Sequence, residues 1–403
     1  MSDIPPEIIR DILSRLPVKS LLRFRCVSKP WRSMIDTKDF IKLHLRHSYN
    51  TNSNRTLLVD STQLFYIDLD SFERLDIGDT QFEPQTVACS CDGLVLIVFK
   101  FNNIVLWNPA TRKLNKLPAT PLECQISVKA NCVDERYALG YDSKHDDYKV
   151  VRVIQASTRV DGGCLSSETK IYSLRSNSWK QVEDFPYMLP SCKRWGVYLN
   201  DALHTVVKDS QCSEVIMAFN VAKEEHYEVP KPRVNRGLSS VEVMGGCLTA
   251  IVPGKRNSSE IWAMKEYGVK KSWAKLLCFE PPLRDPCLNL CPLAYSKSGD
   301  EVLLNYEGMC LNWYNLKKKT VSFACVPGLT ASFYASPHDP PFQAEFCVGS
   351  LVSPHSPAGP GDERQGKKGK LGSSLCSEEM RMENEVDSHK VASFLRVEVH
   401  WFT

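Results

Sequence analysis

Nine histidines and sixteen cysteines could in number supply a metal centre or a nucleophile, so their spacing comes first. A zinc hydrolase needs two histidines one helical turn apart with a glutamate beside the first, an esterase needs a serine elbow between glycines, and a nucleotide enzyme needs a glycine-rich phosphate loop. None of these patterns occurs. Cys89 and Cys91 stand one residue apart and Cys287 and Cys291 three apart, without a second Cys or His pair at zinc-site spacing. His145 next to Asp146 and Asp147 could hold a cation, but residues 143–147 read as a solvated polar turn between strands. Tyrosine and cysteine are abundant enough for a copper-radical site, yet no spacing selects a pair. The residues therefore predict no catalytic centre, no metal and no cofactor, and a protein that works by binding.

With 403 residues, 43% of them hydrophobic, the chain can build one small and one large domain around buried cores. Fifty Lys and Arg against 47 Asp and Glu leave +3, too balanced for a general nucleic-acid binder. The longest apolar runs, such as GLVLIVF at 93–99, fall far short of the roughly 20 residues that cross a bilayer. The first residues carry charges through their apolar stretch, unlike a secretory signal. The expectation is a cytoplasmic or nuclear protein, without membrane or nucleic-acid partners, whose thiols are reduced and mostly buried. Glycosylation patterns at Asn54 and Asn257 then carry no meaning.

The positioning elements are helical at first. Asp3 is placed to cap a helix with Pro5 and Pro6 in its opening turn, and Ile8, Ile9, Ile12, Leu13 and Leu16 recur at three- and four-residue steps until Pro17. A second short helix from about Lys19 carries Leu21, Leu22 and Phe24. A third follows Ser28 as cap and displays Trp31, Met34 and Ile35. Three short helices in residues 1–46 make a core too small to finish itself, so part of this apolar surface should be covered by a partner. Residues 47–55 read as a linker.

From about residue 56 the period becomes strand-like and a motif recurs: an aromatic or apolar residue, a short polar turn, then a second apolar run. Aligning Ile67, Trp107, Tyr172, Phe219, Trp262 and Tyr314 gives spacings of 40, 65, 47, 43 and 52 residues. A period near 45 with two visible strands per copy fits the four-stranded blades of a β-propeller over residues 56–354, with six to eight blades, better than a sandwich, which has no superperiod. The 65-residue interval predicts an extra hairpin around YALGYDSKHDDYKVVRVI. The fold class is thus α+β and multidomain. Beyond residue 354 the composition breaks: only 7 of residues 355–390 are apolar and 13 are charged. The tail, 355–403, should be mostly disordered, although LRVEVHW at 395–401 alternates like a strand.

IPPEIIRDILSRLPVKSLLRFRCVSKPWRSMI resembles the F-box closely. CDGLVLI at 91–97, LWNPATRKLNKLP at 106–118, GYDSKHDDYKVVRV, VYLNDALHTVV at 197–207 and FCVGSLVSP at 346–354 look like the F-box-associated, kelch-like domain of plant F-box proteins, the last as its closing strand. Thr205 departs from that pattern, where tryptophan is frequent, and the tail is outside it. The resemblance implies a non-catalytic substrate-recognition subunit of a Skp-cullin-F-box ubiquitin ligase. Its F-box would bind the Skp-type adaptor, and through it a cullin, by Ile4, Pro5, Ile8, Ile9, Leu13, Leu16, Leu21, Leu22, Val27 and Trp31, with Ile12 and Phe24 in the internal core. Ten Lys or Arg against five Asp or Glu in residues 1–46 would steer it to an acidic adaptor. The propeller would hold an unidentified target through loops such as 157–168, 186–196 and 253–259, with Arg194, Trp195 and Lys255 as candidates. A propeller scaffold independent of ubiquitin is the alternative.

Overall fold

The computed structural model describes residues 4–60, 64–71, 73–75, 86–99, 103–123, 132–157, 164–189, 195–209, 213–255, 258–280, 290–306, 308, 310–324 and 342–356. Two compact units emerge: a helical one described over residues 4–48, and a β unit over Tyr49–Ser356. Asp3, Arg194, Cys287 and the tail beyond Ser356 lie outside the described residues.

The helical elements are α1 (Pro6–Ser14), α2 (Val18–Phe24), α3 (Lys29–Ile35) and α4 (Lys38–Thr51). Proline opens α1, where its missing amide costs nothing. At α3 the Ser28 hydroxyl accepts the Trp31 amide at 3.3 Å, the cap expected from sequence. The sequence reading has no fourth helix; α4 runs through the stretch taken as linker. Its start is marked by Thr37, whose hydroxyl accepts the Phe40 amide at 3.2 Å, and by Asp39 in the first turn. Leu13, Val18, Leu21, Ile35, Phe40 and Leu45 are buried.

The β unit contains six four-stranded antiparallel sheets. Strands β1 (Arg55–Asp60), β2 (Leu64–Asp68) and β3 (Arg74–Leu75) begin the first. The second is β4 (Thr86–Cys91), β5 (Leu94–Phe99), β6 (Asn103–Asn108) and β7 (Lys113–Lys116). The third is β8 (Cys132–Asp142), β9 (Asp147–Ser157), β10 (Cys164–Ser173) and β11 (Ser178–Gln181). The fourth is β12 (Val197–Leu199), β13 (Ala202–Lys208), β14 (Glu214–Asn220) and β15 (Glu225–Val229). The fifth is β16 (Ser240–Met244), β17 (Cys247–Pro253), β18 (Ser259–Met264) and β19 (Trp273–Phe279). The sixth is β20 (Leu290–Tyr295), β21 (Glu301–Tyr306), β22 (Cys310–Asn315) and β23 (Val321–Phe323). Finally β24 (Gln343–Val348) returns to pair with β1.

Each sheet's first strand lies against the first strand of the next, and β24 stands between β20 and β4. This is a six-bladed propeller whose first blade takes its inner strand from the chain's later part. The six aligned repeat residues all fall on third strands: Ile67 on β2, Trp107 on β6, Tyr172 on β10, Phe219 on β14, Trp262 on β18 and Tyr314 on β22. Among the described residues of the 65-residue interval, the YALGYDSKHDDYKVVRVI stretch forms no extra hairpin. That sequence is the ordinary inner pair β8 and β9, whose 11 residues each account for part of the added length.

Blades are apolar on the faces they turn to each other, so the ring must close for any of them to be dry. Leu57, Val59 and Ile67 of the first blade pack with Leu293, Leu303 and Leu311 of the sixth, and Leu58 and Cys347 pack with Val95, Ile97 and Trp107 of the second. Beyond β24 the chain runs under the second and third blades. Asn108 donates to the Ser350 and Val352 carbonyls at 3.1 and 2.7 Å, and the Ser356 hydroxyl donates to the Arg175 carbonyl at 2.9 Å. Gly93, with φ +84°, makes this possible: a Cβ there would sit 2.3 Å from the Ser350 hydroxyl.

Thr205 is buried and opposite Met217 in register. Of the nine cysteines whose side chains are described, all free, four are buried, three half-buried and two exposed, so burial of these thiols is less general than expected. Residues 143–146 form the turn between β8 and β9, but Asp147 begins β9 and is buried, accepting from the Ser173 hydroxyl at 2.6 Å.

Candidate functional site

In the helical unit the ten residues proposed from sequence separate by exposure. Leu13 and Leu21, 1% and 0% exposed, hold the helices together. Ile4 and Ile8, at 52% and 51%, and Val27, at 37%, are exposed, as is Pro5. Ile9, Leu16, Leu22 and Trp31 are half-buried. Ile12 and Phe24, expected inside, are also half-buried, and the interior is filled instead by Val18, Ile35 and Phe40. Phe24 meets Trp31 edge to face, with ring centroids 5.5 Å apart, which fixes the indole at the surface it partly covers.

The same unit exposes many cations. Nine of the ten Lys and Arg of residues 1–46 are exposed. Arg15 pairs with Asp11 at 2.6 Å and Arg25 with Asp36 at 2.7 Å. Exposed isoleucine and valine on a unit of net positive charge are the kind of apolar surface that an interface covers.

The turn between α1 and α2 is held from inside. His44 on α4 is fully buried, and its Nε2–H donates to the Leu16 carbonyl at 2.9 Å. Burial pushes its pKa below the usual imidazole range, so the ring is neutral. Sequence reasoning missed His44. The signal was its place four residues after Phe40 on the buried side of a capped helix.

Where the chain enters the propeller, Tyr49 and Tyr148 donate to the Asp92 carboxylate at 3.0 and 3.1 Å. The Asp92 carbonyl accepts from Ser350 at 2.6 Å, and Asn52 donates to the Ser296 carbonyl at 3.3 Å. Burial raises the Asp92 pKa although both phenols favour its charge.

The target-docking candidates fare unequally. Trp195 is 7% exposed and packs at right angles on Phe185, centroids 5.9 Å apart, in the core shared by the third and fourth blades; it is a packing residue. Lys255 is exposed in the turn between β17 and β18. Arg194 lies outside the described residues.

A propeller preceded by a small helical module defines a class of modular binding proteins, and the comparisons with known proteins specify it. Residues 45–328 match the family described as F-box associated beta propeller domain, and residues 1–43 match the F-box domain. F-box protein CPR1 of Arabidopsis thaliana is 31% identical over 378 residues, covering 87% of this chain and 89% of that one. F-box/kelch-repeat protein At3g23880 of the same plant is 32% identical over 304 residues, covering 70% and 81%. The chain belongs to the plant F-box proteins with an F-box-associated β-propeller. The kelch label belongs to a relative's name; the matched domain is the F-box-associated one.

Proposed function

We propose that this F-box protein is the substrate-recognition subunit of a Skp-cullin-F-box ubiquitin ligase. The helical unit binds the Skp-type adaptor, and through it the cullin, while the propeller holds a target protein for ubiquitination and degradation. The observation that carries the reading is the set of apolar side chains left at the surface of an F-box unit, Ile4, Ile8 and Val27, beside half-buried Leu16, Leu22 and Trp31. Uncovered, that surface has no use to an isolated domain; covered by a partner groove, it supplies the apolar centre of an interface.

In this role the protein makes and breaks no covalent bond. It raises the effective concentration of target lysines near the conjugating enzyme, to the millimolar range that tethering gives. The place of action is the cytoplasm, the nucleus or both. Leu16→Asp and Trp31→Ala are expected to abolish capture of the purified adaptor while the propeller's unfolding transition is unchanged. Normal capture by both variants refutes the assignment.

A further inference from the structure

Residues 230–256 hold five Lys or Arg and one Glu, a net +4 in a chain of net +3. With the +5 of residues 1–46 set aside, everything else is net −6. The structure places four of them, Lys231, Arg233, Arg236 and Lys255, on one end of the propeller together with Lys208. Lys231, Arg233 and Arg236 lie on the link from β15 to β16, Lys255 lies in the turn from β17 to β18, and Lys208 ends β13. This end carries the described link from β15 to β16 and the turn from β17 to β18. The opposite end is where the chain enters and leaves, as shown by the Gly349 amide on the Asn54 carbonyl at 2.6 Å and by Asn52 on the Ser296 carbonyl.

The link is held at both ends. The Trp273 indole donates to the Pro230 carbonyl at 2.7 Å, and the Ser239 amide donates to the Ile251 carbonyl at 2.8 Å. Two cations are aimed by carbonyls: Lys231 donates to the Glu214 carbonyl at 2.7 Å and Arg236 to that of Pro253 at 3.3 Å, Arg236 also acting electrostatically on the Glu260 carboxylate. Lys208, Arg233 and Lys255 are exposed and, among the described residues, form no ion pair. The acids nearby are fewer. The Glu214 carboxylate lies over Gly237, where a Cβ would come within 3.0 Å. The Asp209 carboxylate accepts the Ser213 amide at 2.9 Å, and Glu260 is held by Lys275 at 2.8 Å.

Within the proposed ligase role, we propose that this ledge between the fourth and fifth blades docks a carboxylate-rich segment of the target protein. Lysine and arginine fixed on carbonyls keep donors for carboxylate oxygens at little further ordering cost. The remaining net −6 disfavours a long polyanion such as RNA. A short acidic segment within about one screening length, ~8 Å, meets chiefly the ledge.

The test uses the full chain and a fluorescein-labelled peptide of twelve residues alternating Glu and Ser, read by anisotropy at low and at physiological salt. Triple reversal R233E/R236E/K255E is expected to weaken binding about tenfold or more, and R233Q/R236Q/K255Q to weaken it less. The double variant K318E/K319E, on another blade, should bind as the parent does. Absence of peptide binding overturns the inference. So does equal loss in K318E/K319E, loss only on charge reversal in the helices, or an oligouridylate that binds the ledge more tightly than the peptide. Should the triple reversal fail to fold, the glutamine variant decides. Adaptor capture measured on the same samples separates the two readings: its failure in the parent chain removes the ligase role, whereas unchanged capture with lost peptide binding supports the ledge.

Discussion

The two units of this chain dispose of apolar surface in opposite ways. The helical unit buries Leu13, Leu21, Ile35 and Phe40 but leaves Ile4 and Ile8 half exposed. The propeller spends a late strand, β24, on its first blade so that Leu57 and Val59 are fully covered. A unit of four short helices lacks the volume to enclose every apolar residue it carries, whereas a ring of stacked sheets encloses all its faces once it is closed. Incompleteness in one unit is what another subunit can recognise. Completeness in the other gives a rigid base from which loops and links present specificity.

Opening the ring should have the largest effect. Ending the chain at Phe342 removes β24 and the 349–356 segment, leaving β1 without its inner neighbour and Asn108 without its two carbonyl acceptors. The expected outcome is loss of the propeller's cooperative unfolding transition with adaptor capture by the helices retained. A sharp transition near the parent's melting temperature would show that closure is not what holds the blades.

A smaller effect separates burial from exposure within the helices. Leu21→Ala should destabilise the helical unit by about 2–5 kcal/mol, through lost transfer energy and a cavity. Ile8→Ala, at an exposed position, should change stability by no more than about 0.5 kcal/mol and yet lower adaptor capture. Chemical denaturation and capture measured on both variants check this; equal effects on both readouts erase the distinction between core and docking residues.

The smallest expected effect concerns proton linkage in the propeller. His204 is buried with Nε2 accepting from the Tyr267 hydroxyl at 2.6 Å and Nδ1–H donating to the Val197 carbonyl at 3.2 Å, and burial lowers its pKa to about 4. Unfolding frees the ring to bind a proton at its ordinary value near 6.5. Between about pH 6.5 and 4 the unfolded state therefore holds more protons, so stability is complete above that window and declines as pH falls through it. From pH 7 to pH 5 the His204 contribution should fall by about 2 kcal/mol. His204→Gln should flatten that slope in denaturant titrations; an unchanged slope assigns the dependence to other groups.

Much of the architecture was legible because it repeats. Six residues chosen by aligning a weak motif all landed on third strands, since each blade solves the same packing problem with the same alternation. The misreadings have local causes. Helix α4 was overlooked because its cap, Thr37, follows the preceding helix almost at once. Interval length predicts an extra hairpin around residues that form the long inner strands β8 and β9. In the site, Leu13 and Leu21 share the periodicity of Ile8 and Leu16, and periodicity marks an apolar face without telling which part of it a neighbouring helix covers.

Sequence alone therefore determined the order of units, the blade period, the third-strand positions and the F-box stripe, because these follow from local alternation and spacing along one dimension. The tertiary structure alone decided which strand the closing segment pairs with, β24 on β1, that Trp195 is packed while Lys255 is exposed, and that Lys208, on β13, joins cations more than twenty residues further along the chain on one ledge. Each of those outcomes depends on which distant segments meet in three dimensions, and the pairing of distant segments is set by the closure of the whole fold rather than by any window of residues.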